Sequence, residues 1–326
     1  MTDGSALPRL SGDGAEKLAE GGERIAVVGA GGWLGLATLE LLRQTLGADF
    51  ERRVVAFGSN ERALRLRGGC EVVQQPLGRL VELPSAPTLV LHLAFLTKDR
   101  AETMAEADYV AANRAITDTV RSALDAIGAR AVFVPSSGAA YAADDPQAPA
   151  AARLYGRLKL DDEACFREWA ERAGRRAVIA RVFNLSGPYM NKRGSYALSA
   201  FILDVLAGRP IEIRATRPVF RSYVAIRELM SVVFGVLAVR RDGTTRFDTA
   251  GEAALEMAEI AEAVRAALGR RELSISRAEV GRATPDVYVG DGALYSELRR
   301  SVGVAPVDFP TQVRETADYL AGERVV

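Results

Sequence analysis

Three features of this sequence predict an α/β fold, with a parallel sheet covered by helices on both faces. Apolar strand-like runs alternate with stretches of helical period through the first half of the chain. Several runs, at 88–93, 130–136 and 177–183, are almost continuously apolar, as strands buried on both faces must be. One run, Arg24 to Val28, breaks into a glycine turn and continues directly into an amphipathic pattern.

That first unit, RIAVVGAGGWLGLATLELL, carries Gly29, Gly31, Gly32 and Gly35, followed by Leu34, Ala37, Leu39 and Leu42 at helical spacing. Glycines at such a turn let the backbone approach a pyrophosphate, and the helix start offers free N–H groups and a positive dipole end. The spacing is G-x-x-G-x-x-G rather than the standard G-x-G-x-x-G. A tight strand-to-helix connection explains the glycines alone about as well. Their place between strand and helix favours a dinucleotide site, with Gly29, Gly32, Trp33, Leu34 and Gly35 around the phosphates. The fold is therefore read as a Rossmann-type doubly wound parallel sheet.

The remaining elements follow in order. A strand is expected at 53–57, and helices at 33–46, 100–126 and 151–173. Beyond Ser186–Tyr189 the pattern shortens, with amphipathic pieces at 195–207, 225–239, 253–268 and 309–322 and a brief strand at 245–249. Residues 1–21 lack an apolar signal core and read as a mobile tail. The expected division is a dinucleotide-binding domain at 22–185 and a mainly substrate-binding part at 186–326, with about 221–250 returning to the sheet.

Composition narrows the function. Lys+Arg and Asp+Glu each number 42, so no bulk basic field favours nucleic acid or an acidic membrane. No apolar stretch approaches the ~18 residues of a membrane span, and a soluble, cytoplasmic protein is expected. Cys70 and Cys165 lack metal-ligand spacing. The single histidine, His92, sits inside an apolar run, which argues against a Ser-His-Asp hydrolase and a histidine-rich metal site. It reads as a satisfied histidine at a strand end. Asp161, Asp162 and Glu163 read as a solvated helix face, and no metal site is expected.

Tyr155 and Lys159 stand four residues apart in RLYGRLKLDDE, and Ser137 ends the run AVFVPSS. On a helix that offset places phenol and ammonium on one face. A free phenol titrates near ~10, and a neighbouring cation favours the phenolate. Bringing it near neutrality takes about three pKa units, roughly 4 kcal/mol. The Ser137 hydroxyl would bond the oxygen that gains or loses the proton.

Glycine turn, Ser137, Tyr155 and Lys159 occur in the order of the short-chain dehydrogenase/reductase enzymes, and the chain resembles their extended branch, the NAD-dependent epimerase/dehydratase family. Further stretches carry the resemblance: LVLHLAF from Leu89, Asn113 in YVAANRA, SSGAAYA from Ser136 with Tyr141, RVFNLSGPY from Arg181 and FRSYVAIREL from Phe220. It implies a nucleotide-sugar substrate, catalysis by Ser137, Tyr155 and Lys159, coenzyme contacts from Tyr155, Lys159, Leu93, Ala94 and Asn113, and substrate contacts from Asn184 and Arg221. It also implies a smaller, interleaved C-terminal substrate domain and a homodimer built on the helices at 100–126 and 151–173. Ser222 replaces the usual acid after the arginine, and NKRGSYAL from Asn191 has no evident counterpart.

The strand RRVVAF ends in Gly58, Ser59 and Asn60, with no acid at its tip. Ser59 and Arg62 suit a 2′-phosphate, which favours NADP over NAD. Gly138 and Ala139 follow Ser137 where dehydratases of the family carry Asp-Glu, which demotes 4,6-dehydration. A sugar epimerase is favoured slightly, with an NADPH-dependent 4-ketoreductase or dehydrogenase as the alternative. A dinucleotide-binding sensor or scaffold stays open as the non-enzymatic alternative.

Overall fold

In the computed structural model, residues 7–238, 242–281 and 283–322 are described. The strands are β1 (Arg24–Val28), β2 (Val54–Gly58), β3 (Arg62–Arg65), β4 (Glu71–Pro76), β5 (Thr88–His92), β6 (Ala129–Ser137), β7 (Arg176–Val182), β8 (Leu185–Ser186), β9 (Ile211–Ile213), β10 (Val219–Arg221), β11 (Val224–Ala225), β12 (Gly243–Asp248), β13 (Leu255–Glu256), β14 (Ile275–Arg277) and β15 (Asp286–Tyr288). The helices are α1 (Asp13–Glu20), α2 (Trp33–Leu46), α3 (Phe50–Arg53), α4 (Lys98–Ala101), α5 (Glu106–Ala126), α6 (Ala150–Ala173), α7 (Ala197–Leu206), α8 (Ile226–Ala238), α9 (Met257–Ala267), α10 (Ala293–Ser301) and α11 (Phe309–Gly322).

Eight strands form the central sheet in the order β12-β7-β6-β5-β1-β2-β4-β3, parallel throughout except for the β3–β4 hairpin. The order reverses between β1 and β5, so a crevice opens where their carboxyl ends part. Both faces are covered, as the continuous apolar runs require. One face packs Ile25, Val27, Leu91 and Phe133 against α2 and α8 through Leu39, Leu42, Leu229 and Val233. The other packs Ala26, Val28, Val90 and Val132 against α5 and α6 through Val120, Leu124, Phe166 and Trp169.

A third core joins α7, α9 and α11 through Ile202, Val205, Ile260, Val264, Val313 and Leu320. This smaller lobe carries the short sheet β13-β10-β15. Between these lobe segments the chain returns to the main sheet through α8 and β12, whose residues pair in parallel with β7.

The N-terminal segment is not a mobile tail from residue 7 onward; residues 1–6 lie outside the described residues. Its polar composition hides one apolar stripe, so α1 forms and buries Ala15 and Leu18, with Leu10 just ahead of it. The buried Arg53 guanidinium donates to Leu18 O at 2.7 Å and to Glu23 O at 3.1 Å, fastening this segment to α3.

Candidate active site

The glycine turn closes the carboxyl end of β1. Gly29 takes a positive φ of 85°, and a methyl there would lie 2.5 Å from Ala94 N. Gly29 N and Ala30 N both donate to Phe57 O, at 2.8 and 3.0 Å. In the first turn of α2, a methyl on Gly35 would lie 2.3 Å from Gly29 O, so only glycine lets helix and turn approach this closely. The N-cap of α2 is Gly32, no side chain caps it, and its first turn carries no acid. The first-turn peptides of Trp33, Leu34 and Gly35 thus present an uncapped, positive helix end, which fits a pyrophosphate. Trp33 Nε1 donates to Pro188 O at 2.8 Å, tying the turn to the loop after β8.

Leu93 and Ala94 follow β5 and pass directly over Gly29. Asn113 is buried behind them: its Oδ1 accepts from Leu96 N at 2.8 Å and its Nδ2 donates to Tyr109 O at 3.1 Å. It supports the loop that lines the crevice. Ser59 and Arg62 are exposed beyond β2, and Arg62 Nη2 lies 3.4 Å from Gly31 O, so a guanidinium borders the glycine turn.

At the other end of the crevice, β6 delivers Ser137 and α6 delivers Tyr155 and Lys159. Ser137 Oγ accepts from Ala139 N at 3.1 Å and lies 3.4 Å from the Tyr288 hydroxyl. Burial pushes the Tyr155 phenol well above its ordinary range, and the neighbouring Ser137 hydroxyl pulls the other way. Burial brings the Lys159 ammonium down to about 8, opposed by the charges of Asp162 and Glu163. Lys159 Nζ donates to Pro135 O at 2.9 Å and sits 3.6 Å from the centre of the Phe95 ring. The same ring meets Tyr155 edge-on, centroids 5.6 Å apart. The groups acting on the phenol are Ser137 and the phenols of Tyr288, Tyr109 and Tyr196. The expected lowering of the phenol by Lys159 is thus not found here, because desolvation dominates and the ammonium is engaged by Pro135 and Phe95.

The facing side of the crevice gathers residues from β10, β15 and the link between β7 and β8. Asn184 Nδ2 donates to Ser222 O at 3.1 Å and Tyr288 O at 3.3 Å. Arg221 forms a two-pronged pair with Asp286, at 3.1 and 3.2 Å. The Tyr288 ring lies tilted against Phe183, centroids 4.7 Å apart, and its hydroxyl reaches Ser137. Neither Tyr288 nor Asp286 was singled out by sequence, since β15 is three residues long and carries no periodic signal. Phe95 was likewise read only as the end of an apolar run.

Two readings are corrected behind the site. Asp162 and Glu163 are buried, not solvated, and Asp161 alone of the three is exposed. Glu163 pairs bidentately with Arg181, both bonds 2.8 Å, and accepts from Ser136 at 2.5 Å. Asp162 Oδ1 accepts from Thr117 at 2.6 Å. His92 is not satisfied: neither ring nitrogen, nor Asp162 Oδ2 at 3.9 Å from Nε2, has a hydrogen-bond partner among the described residues. Burial, with Lys159 nearby, holds the imidazole neutral by bringing it down to about 3.

A parallel sheet with a glycine-turn crevice, and a Ser-Tyr-Lys group at its strand ends, defines a dinucleotide-fold protein with groups suited to proton transfer. The chain belongs to the NAD dependent epimerase/dehydratase family, whose description matches residues 25–247. No curated protein matches it. Among solved structures, it is similar to a UDP-glucose-4-epimerase from Stenotrophomonas maltophila bound to NAD and formylated UDP-arabinopyranose. That match has a TM-score of 0.70 and 18% identity, covering 94% of this chain and 100% of the other. DesIV, a dTDP-glucose 4,6-dehydratase from Streptomyces venezuelae with NAD bound, matches at TM-score 0.67 and 19% identity, over 93% and 98% of the two chains. MoeE5 in complex with UDP-glucose and NAD matches at 0.66 and 20%, over 92% and 99%. Among the described residues, no helix is long and apolar enough to cross a membrane.

Proposed function

We propose that this protein is a nicotinamide-dependent enzyme that moves hydride and a proton at one carbon of a nucleotide sugar, with sugar epimerisation as the reaction. The observation that carries this reading is the convergence of Ser137, at the end of β6, with Tyr155 and the buried Lys159 of α6 next to the glycine-turn crevice. The coenzyme supplies a hydride acceptor and donor. For oxidation Tyr155 would first have to lose its own proton, since burial holds it as the neutral phenol; as phenolate it would take the proton from the reacting sugar hydroxyl and return it, while Ser137 holds the same oxygen in line. Lys159, desolvated and cationic below about pH 8, would add its positive charge to the coenzyme end of the site. Arg221, already oriented by Asp286, is placed to meet a diphosphate, with Asn184 beside it. A second copy of the chain packed on α5 and α6 completes the reading as a homodimer.

The second reading is a ketoreductase using NADPH, and the position of Arg62 against the glycine turn favours it, since a guanidinium there suits a 2′-phosphate. Burial keeps Tyr155 a neutral phenol at rest, the form that donates a proton to a keto sugar. Rapid purification followed by mass spectrometry of the released ligand separates the two: one retained dinucleotide per chain supports epimerisation, an empty protein supports the reductase. Tyr155→Phe is expected to lower turnover about 10²–10⁴-fold with the fold intact. Unchanged turnover on the same nucleotide sugar refutes the catalytic assignment.

A further inference from the structure

Phe95 stands where the coenzyme reading needs open space. Its backbone is pinned on both sides. Leu93 N donates to Val28 O at 2.8 Å, Leu96 N donates to Asn113 Oδ1 at 2.8 Å, and Leu96 O accepts from the Tyr109 hydroxyl at 2.6 Å. Ala94 between them abuts Gly29. The peptide therefore has little room to shift, and the freedom left at this position is the rotation of the side chain.

That side chain covers the two groups assigned to the nicotinamide end of the site. Its ring centre is 3.6 Å from Lys159 Nζ, and its edge contact with Tyr155 is at 5.6 Å and 77°. A ribose hydroxyl within hydrogen-bond reach of that ammonium, about 2.9 Å, competes for the face that the ring now covers. The ring also has somewhere to go. Phe95 borders an open cleft of about 190 Å³ between α5 and α6, lined mainly by polar groups such as Arg114, Thr117, Asp118 and Asp161, with Leu158 and Cys165 as its less polar part. In volume alone the cleft exceeds the roughly 150 Å³ that accepts a benzene ring, and its mixed lining leaves a ring turned into it partly in contact with water.

We propose that Phe95 is a two-position gate for the coenzyme: its ring closes over Lys159 in this structure and turns into the α5–α6 cleft when the nicotinamide end of a dinucleotide arrives. The proposal rests on the coenzyme reading given above. A gate of this kind lowers apparent affinity by the fraction of molecules that stand open. The closed position is held by a cation–π contact, which corresponds to about a 2- to 30-fold penalty on binding.

The test is a double-mutant cycle on coenzyme affinity, titrating NAD and NADP into the full chain. Phe95→Ala is expected to bind the preferred coenzyme about 2- to 30-fold more tightly than the unmodified protein. Cys165→Phe, which fills the cleft from α6, is expected to weaken binding while Phe95 is present and to have no effect in the Phe95→Ala background. Equal or weaker binding by a folded Phe95→Ala protein overturns the gate, as does a Cys165→Phe effect of the same size in both backgrounds. If Phe95→Ala does not fold, unchanged affinity in Cys165→Phe alone overturns it. Failure of every variant and of the unmodified protein to bind either dinucleotide overturns the coenzyme reading itself, whereas ordinary binding indifferent to Phe95 overturns only the gate.

Discussion

Asp162→Asn isolates the charge that keeps Lys159 protonated in a dry site. Burial brings this ammonium down to about 8, and Asp162 and Glu163 are the charges that oppose the fall. Glu163 is already committed to Arg181, with Arg246 3.6 Å away, so little of its charge is left for Lys159. Asp162 has no such cation: one oxygen accepts from Thr117 and the other faces a neutral His92. Asparagine keeps the shape and can keep the Thr117 bond, but removes the charge. Three residues apart on a helix, the two groups stand about 6 Å apart. At an effective dielectric of ~20 their attraction is roughly 3 kcal/mol, or about two pKa units. Burial also raises the Asp162 carboxyl toward its neutral form, which reduces the charge available, so a fall of about 1 to 2 units in Lys159 is the expected result. On the proposed reading the ammonium form is the one that works, so activity and coenzyme affinity should be lost as pH rises through this pKa. The high-pH limb, near 8 in the unmodified protein, should move to lower pH in the variant. Coenzyme titrations and turnover across that range measure it, and a limb that stays in place or moves upward refutes the coupling.

Three further outcomes are expected. Arg62→Ala should weaken NADP binding about 10- to 100-fold, the size of one charge-assisted contact, and leave NAD within a few-fold by calorimetry; tighter NAD than NADP binding in the unmodified protein reverses the preference. Leu18→Ala should lower unfolding free energy by about 2–4 kcal/mol in urea, because α1 belongs to the core; a mobile tail predicts no change. His92 titrates near 3 when folded and near ~6.5 when unfolded, so the unfolded chain binds the extra proton between these values. Stability should therefore fall as pH drops below about 6.5, and His92→Leu should flatten that part of the acid limb.

What was legible in the sequence is what short-range periodicity encodes. The run from Arg24 to Leu42 states strand, turn and helix within twenty residues, because each signal lies in its own residues. That alternation made β1, β2, β5, β6 and β7 and their parallel arrangement legible, while the order of the strands in the sheet is set by contacts that local pattern does not carry. The sequence passed over β3 and β4, whose edge position leaves them too exposed for a continuous apolar run. It misread α1 because a stripe as narrow as Ala15 and Leu18 sits among charged residues.

The site was legible at the level of residue types and not of partners, for a physical reason. Three successive acids on a helix point three ways, so local pattern assigns them all to solvent. Burial of two of them is decided by Arg181 on β7 and Thr117 on α5, contacts 18 and 45 residues distant in sequence. The same holds for Tyr155 and Lys159. Their four-residue offset was readable, but the state of each was not, because an aromatic ring from the end of β5 covers the ammonium and desolvation governs the phenol. A proton-transfer pair therefore cannot be judged from spacing alone: the groups that set its charge arrive from other strands, and here Phe95, Asp162 and Tyr288 all do so or lie a helical turn away.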